Sequence, residues 1–139
     1  MASFTAEFTT IDGTAAALGR AGAHSLVADR PAGRAGGLEL GFNGAQLLAL
    51  AVGGCLANDL RYVAEASGIA IGRIAVKVTI EADGTPLLAT GVDVEIACEA
   101  TEGSDPAALV AATTAITMVG GTLAKGIPVA FRHVPRAWD

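Results

Sequence analysis

The chain opens on an alternation of apolar and polar side chains. Phe4, Ala6 and Phe8 fall on one side of Ser3–Ile11 and Thr5, Glu7 and Thr9 on the other, a period of two that predicts a strand. Asp12-Gly13 then reads as a hairpin turn. Thr14 to Asp29 predicts one or two further strands, interrupted near Gly19-Arg20-Ala21-Gly22, and the Gly/Pro-rich stretch Arg30–Gly37 reads as a loop. The N-terminal third is therefore expected to be a small antiparallel sheet. From Asn43 the period changes. Asn43 is placed to cap a helix with Gln46 three residues on, the spacing of a capping box, and the helix should run to about Ser67, with Gly68 as its stop. Its first half is apolar nearly all round, so it must be enclosed by sheet, by other helices or by a second subunit.

The period of two returns at Arg73–Ala82, with Ile74, Val76, Val78 and Ile80 opposite Lys77, Thr79 and Glu81. Asp83-Gly84-Thr85-Pro86 turns the chain, and Val92, Val94, Ile96 and Cys98 alternate with Asp93, Glu95 and Glu99 in a return strand that aims Cys98 at the buried face. Ser104-Asp105-Pro106 starts a second helix expected to reach Leu123, Gly126 ends it, and Ile127–Val134 predicts a last strand. The order β-β-β, long α, β-β, α, β defines an α+β fold and, over residues 1–139, a single domain.

Composition narrows this picture. The 139 residues are 52% apolar but only 4% aromatic, so the core is built from small side chains and close backbone approach, and oligomerisation would add needed burial. The net charge of −5, with no Lys/Arg block, argues against nucleic acid and anionic membrane as partners. The opening residues show no basic stretch followed by an apolar one, and the longest wholly apolar run, Leu47–Val52, falls far short of the roughly 20 residues of a membrane span, so a cytoplasmic location is expected. Two cysteines are too few for a disulfide scaffold, and neither has a partner at metal-ligand spacing, so no metal or other cofactor is expected.

Candidate chemistry concentrates on Cys55, flanked by Gly53-Gly54 and followed by Asn58, Asp59 and Arg61. Cys55 reads either as a small core residue or as a thiol made reactive by its neighbours. Asn58 and Asp59 are placed to cap, to pair with an arginine or to line a thiol pocket. An unpaired carboxylate would oppose a thiolate, so Asp59 calls for Arg20 or Arg61 nearby if Cys55 is to react. Cys98, His24 and His133 read as core or solvated strand residues. Gly53-Gly54 lies within a helix and serves close packing rather than phosphate binding.

The stretch from His24 to Pro31, the run Gly41-Phe42-Asn43-Gly44-Ala45-Gln46-Leu47-Leu48, the Gly54-Cys55 pair and the closing Gly126-Ile127-Pro128-Val129 together resemble the OsmC/Ohr family of organic hydroperoxide reductases. The resemblance implies an OsmC-like fold, with antiparallel sheets around a long buried central helix and a second helix, in an intertwined homodimer. It also implies that Cys55 is the peroxidatic cysteine, which attacks an organic hydroperoxide and becomes a sulfenic acid. The family's arginine lies on the N-terminal hairpin. Arg20 is the matching position, with Arg30 second. Two departures bear on mechanism. Ala45 stands where the family has the glutamate that orients the arginine, and Thr117 stands where it has the resolving cysteine. A one-cysteine cycle reduced by an external thiol or dithiol is therefore expected, with Cys98 the only other thiol. The rival expectation is a non-catalytic OsmC-like protein that binds a hydrophobic small molecule in the dimer cleft.

Overall fold

The computed structural model describes residues 1–101 and 103–135. Three strands, β1 (Glu7–Thr10), β2 (Ala17–Ala21) and β3 (His24–Ala28), form an antiparallel sheet in that order. Helix α1 (Gly44–Ala66) follows, then strands β4 (Ile71–Asp83) and β5 (Leu88–Ala100) paired in a second sheet, then helices α2 (Pro106–Thr114) and α3 (Met118–Lys125). The chain divides into two compact units, one of Met1–Ala51 with Val78–Asp93 and one of Val52–Lys77 with Val94–Asp139.

In the first unit the hairpin turns fall where glycine permits a left-handed backbone, at Gly13 (φ 77°) and Gly22 (φ 58°). The interruption expected around residues 19–22 falls later: Gly19, Arg20 and Ala21 belong to β2, and the β2–β3 turn is at Gly22–Ala23. Beyond β3 a single buried side chain organises the loop. Asp29 Oδ2 accepts the Leu38 and Leu40 amides, both at 3.0 Å, while Oδ1 accepts the Arg30 amide at 2.8 Å and its guanidinium at 3.1 Å. The chain then closes onto β3 through Phe42 N–H to Val27 O and Asp29 N–H to Phe42 O. Gly41 permits this approach, because a Cβ there would collide with the Val27 carbonyl. Asn43 and Gln46 form the expected reciprocal capping box, each side-chain oxygen accepting the other's amide at 2.9 Å, and launch α1.

In the second unit α1 buries the stripe Val52, Leu56, Leu60 and Ala64, spaced four residues apart. Leu60 (0% exposed) and Ala64 pack with Leu109 of α2, and Val63, Ile71, Ile74, Ile96 and Cys98 close around them. The 23-residue α1 is long and apolar enough by composition to cross a membrane. The second half of its buried stripe, Leu60 and Ala64, lies in this cluster with strand and helix residues, as in the core helix of a folded domain. In its apolar first half, Leu47, Leu48 and Ala49 are partly buried while Leu50 stands 52% exposed.

The alternation expected for β4 and β5 is present, and both strands extend beyond the boundaries expected for them. Val92 is an exception on its face, exposed where the pattern placed it inward. Two expectations need correction. The second helix does not run unbroken from Ser104 to Leu123. Asp105 caps α2, with Pro106 in its first turn, but α2 ends at Thr114, and Thr117, whose backbone is extended in ψ (126°), starts α3. Residues 127–134 form no strand: they pair with no other strand among the described residues, and Phe131 stands 92% exposed.

The hydrogen bonds to Asp29, first from the Leu40 amide and then from Leu38, with the Arg30 amide and guanidinium adding to them against the opposing effect of burial, hold its carboxyl below the ordinary aspartate value. The unfolded chain binds this proton at the higher pKa, so the contribution is complete above the unfolded value of about 3.9 and is lost as pH falls through the lower folded value. Asp29→Asn is expected to lower the melting temperature at pH 7 and to lose less stability than the parent chain between pH 5 and 2, as read from thermal melts by circular dichroism.

Candidate functional site

Cys55 lies midway along α1, on the stretch belonging to the second unit, and Asp59 lies one turn further on the same helix face. The half-buried Cys55 thiol donates a hydrogen bond to Asp59 Oδ2 at 3.4 Å. Across the packed helices, the Thr117 hydroxyl donates to Cys55 Sγ at 3.6 Å, a contact between residues 62 apart in sequence. The sulfur is therefore both acceptor and donor in a line that runs from Thr117 Oγ1 to the Asp59 carboxylate. Thr117 is the residue before the first turn of α3, where a threonine ordinarily turns its oxygen onto the helix amides. Here it makes no such bond, and its hydroxyl goes to sulfur instead. The break between α2 and α3 is what frees this side chain to face Cys55.

Of the roles open to Asp59, the structure shows contact with the thiol, and Arg61 does not pair with it. Arg61 directs its guanidinium away to the Ile71 and Gly72 carbonyls, at 2.9 and 2.8 Å, and so ties α1 to the start of β4. Among the described residues, ion pairs join Arg30 to Asp29 and Lys77 to Glu95, and neither includes Asp59. The four-residue spacing of Cys55 and Asp59 was the signal for their direct bond. No comparable sequence signal marks two backbone carbonyls ten residues downstream as the destination of Arg61.

Arg20 lies on β2 in the first unit, opposite Glu7 and Ser25 in the strand register. It borders a shallow depression of about 120 Å³ lined mainly by apolar atoms, with Phe8, Leu26 and His24 among its walls. Arg30, the second arginine considered, is committed to the Ala15 carbonyl and to Asp29, so its guanidinium works in the loop. Ala45, in the first turn of α1, carries no carboxylate and is exposed. Cys98 packs against the Leu60–Ala64–Leu109 cluster as its alternation implied, and both cysteines are free thiols. His24 lies exposed on β3, whereas His133 lies in a segment without regular structure rather than on a strand. No group of three His, Cys, Asp or Glu side chains gathers for a metal ion among the described residues.

A half-buried thiol on a helix, met by a side chain from the following helical pair, sits on a scaffold shared with known proteins. The sequence profile described as OsmC-like protein matches residues 36–132, and the chain belongs to that family. Among solved structures, an OsmC-like protein of unknown function from Vibrio cholerae superposes with a TM-score of 0.73 at 10% identity, covering 88% of this chain and 94% of its own. An OsmC-like protein from Mycoplasma pneumoniae gives 0.73 at 13% identity, with 88% of each chain covered. An organic hydroperoxide resistance protein from Elizabethkingia anophelis gives 0.61 at 18% identity, covering 88% of this chain and 89% of its own. At these identities the likeness is one of fold. No curated protein matches the sequence.

The Cys55–Thr117 contact makes a direct geometric prediction. In Thr117→Cys, mild oxidation is expected to link Cys55 to the introduced thiol, seen as a loss of two hydrogens by intact mass. The closed loop should stabilise the oxidised variant by about 4 kcal/mol over its reduced form in urea titrations. Failure to form the bond would mean that the helices do not hold these two positions together.

Proposed function

We propose that this chain is a thiol-dependent peroxidase of the OsmC family that reduces organic hydroperoxides through a sulfenic acid at Cys55. The observation that carries the reading is the 3.6 Å contact between Cys55 and Thr117, because these are the two positions at which the family resemblance puts its reactive and resolving cysteines. Ile116 and Met118, on either side of Thr117, expose 62% and 58% of their surface, an apolar rim suited to an organic rather than an inorganic peroxide. The resistance protein of similar fold is named for organic hydroperoxides.

In this cycle the Cys55 sulfur attacks the outer oxygen of the hydroperoxide, the O–O bond breaks, the alcohol departs, and sulfur keeps the OH as a sulfenic acid. A hydroxyl at position 117 cannot condense with that sulfenic acid to a disulfide. An external thiol therefore attacks sulfur and releases water, and a second thiol frees Cys55. Arg20 is the arginine proposed to steer the peroxide, since Arg30 is held in the loop. A second reading, a non-catalytic family member that binds a hydrophobic small molecule, draws support from the absence of a carboxylate at Ala45 and of a thiol at Thr117.

The working form is proposed to be an intertwined homodimer of single-domain chains in the cytoplasm. Leu50, Leu88, Val92 and Leu123 are all more than a third exposed in the single chain, and a partner would cover them. Sedimentation equilibrium at micromolar concentration is expected to give twice the 13.8 kDa chain mass, and a monomer would remove the dimer from the proposal.

The activity is tested by treating the reduced protein with one equivalent of cumene hydroperoxide in the presence of dimedone. Adduct is expected on the parent chain and on Cys98→Ser, and none on Cys55→Ser. No adduct on the parent chain would leave the binding reading.

A further inference from the structure

Reduction of a hydroperoxide needs two proton movements as well as a nucleophile, since the thiol must give up its proton and the departing alkoxide must receive one. The structure holds one group in contact with the reacting sulfur that can do both. Asp59 Oδ2 accepts the Cys55 thiol at 3.4 Å and enters no ion pair among the described residues, while Arg61, the cation nearest to it in sequence, is spent on the Ile71 and Gly72 carbonyls.

Resting on the peroxidase reading above, we propose that Asp59 is the catalytic base and acid of this site, taking the Cys55 proton as sulfur attacks and delivering it to the alkoxide. The distal peroxide oxygen keeps its own hydrogen and becomes the sulfenic OH. The O–O bond breaks toward the organic group, and the alkoxide leaves as alcohol with the proton that began on sulfur. The carboxylate ends the step as it began it, and no other co-reactant is needed. Thr117 completes the arrangement from the other side. Its hydroxyl donates to sulfur, and that bond strengthens as negative charge grows there, because a hydrogen bond to an ionised acceptor is the stronger kind. A carboxylate next to a thiol would otherwise only oppose its ionisation. Hydrogen-bonded to the S–H and, among the described residues, in no ion pair, it is a proton acceptor in place.

The test separates proton transfer from simple thiol reactivity by using electrophiles with different leaving groups. Iodide and acetate depart without a proton, whereas the alkoxide of cumene hydroperoxide requires one. Asp59→Asn keeps the shape of the side chain. It is expected to alkylate with iodoacetamide at pH 7 at least as fast as the parent chain and to react with peracetic acid within a few-fold of it. With cumene hydroperoxide it is expected to slow by about a hundred-fold. Asp59→Ala should show the same split, and circular dichroism confirms that each variant is folded. Equal rates with cumene hydroperoxide in Asp59→Asn and the parent chain would overturn the role of Asp59 and leave the peroxidase standing. A parallel fall with all three reagents would also overturn it, since that marks a structural effect on the thiol. A parent chain that fails to react with cumene hydroperoxide, yet alkylates normally, would overturn both readings.

Discussion

The site depends on how α1 packs against α2 in the second unit. Leu60 and Ala64 of α1 meet Leu109 of α2 in a cluster from which water is excluded. From Leu60, five residues back toward the start of α1 lead to Cys55, and from Leu109, steps of four lead through the fully buried Thr113 to Thr117. With the leucines seated, the packing of α1 against the α2–α3 segment brings the thiol and the hydroxyl within reach of each other. A sulfur hydrogen bond at 3.6 Å is too weak to organise two helices, whereas burial of Leu60 and Leu109 contributes roughly 1.5–3 kcal/mol each. The apolar contact sets the register and the polar contact exploits it.

What the sequence disclosed follows the range of the forces involved. The capping box at Asn43 and Gln46, the glycine turns at 13 and 22 and the two-residue alternation of β4 and β5 are decided within a few residues, and each was legible. The Cys55–Asp59 pair was legible in the same way, as neighbours one helical turn apart. Three features were not. The break before Thr117 overrides a segment whose composition suits an unbroken helix, because helix propensity is a weak prior and tertiary contacts decide where a turn is sacrificed. The strand read at 127–134 had the alternation but not the partner, and pairing is a property of the whole fold. Arg61 was one of two arginines called for beside Asp59 if Cys55 is to react, yet residues i and i+2 do not face one another on a helix, and its long side chain reaches the carbonyls of β4 instead.

The family supplies the scaffold, and this chain changes what stands on it. Ala45 carries no carboxylate, while Asp59 places one against the sulfur from the helix itself. Threonine at 117 sets a hydroxyl rather than a thiol against that sulfur. The Cys55 thiol thus has a carboxylate acceptor on one side and a hydroxyl donor on the other.

The contact between Cys55 and Thr117 spans 62 residues. Closing a loop of that length costs chain entropy, which the packing of Leu60, Ala64 and Leu109 offsets. A newly made or partly opened chain carries an ordinary cysteine, and the composed site exists only while α2 stays docked. Amide exchange along α2, remote in sequence from the thiol, is therefore a gauge of whether the site is intact at any moment.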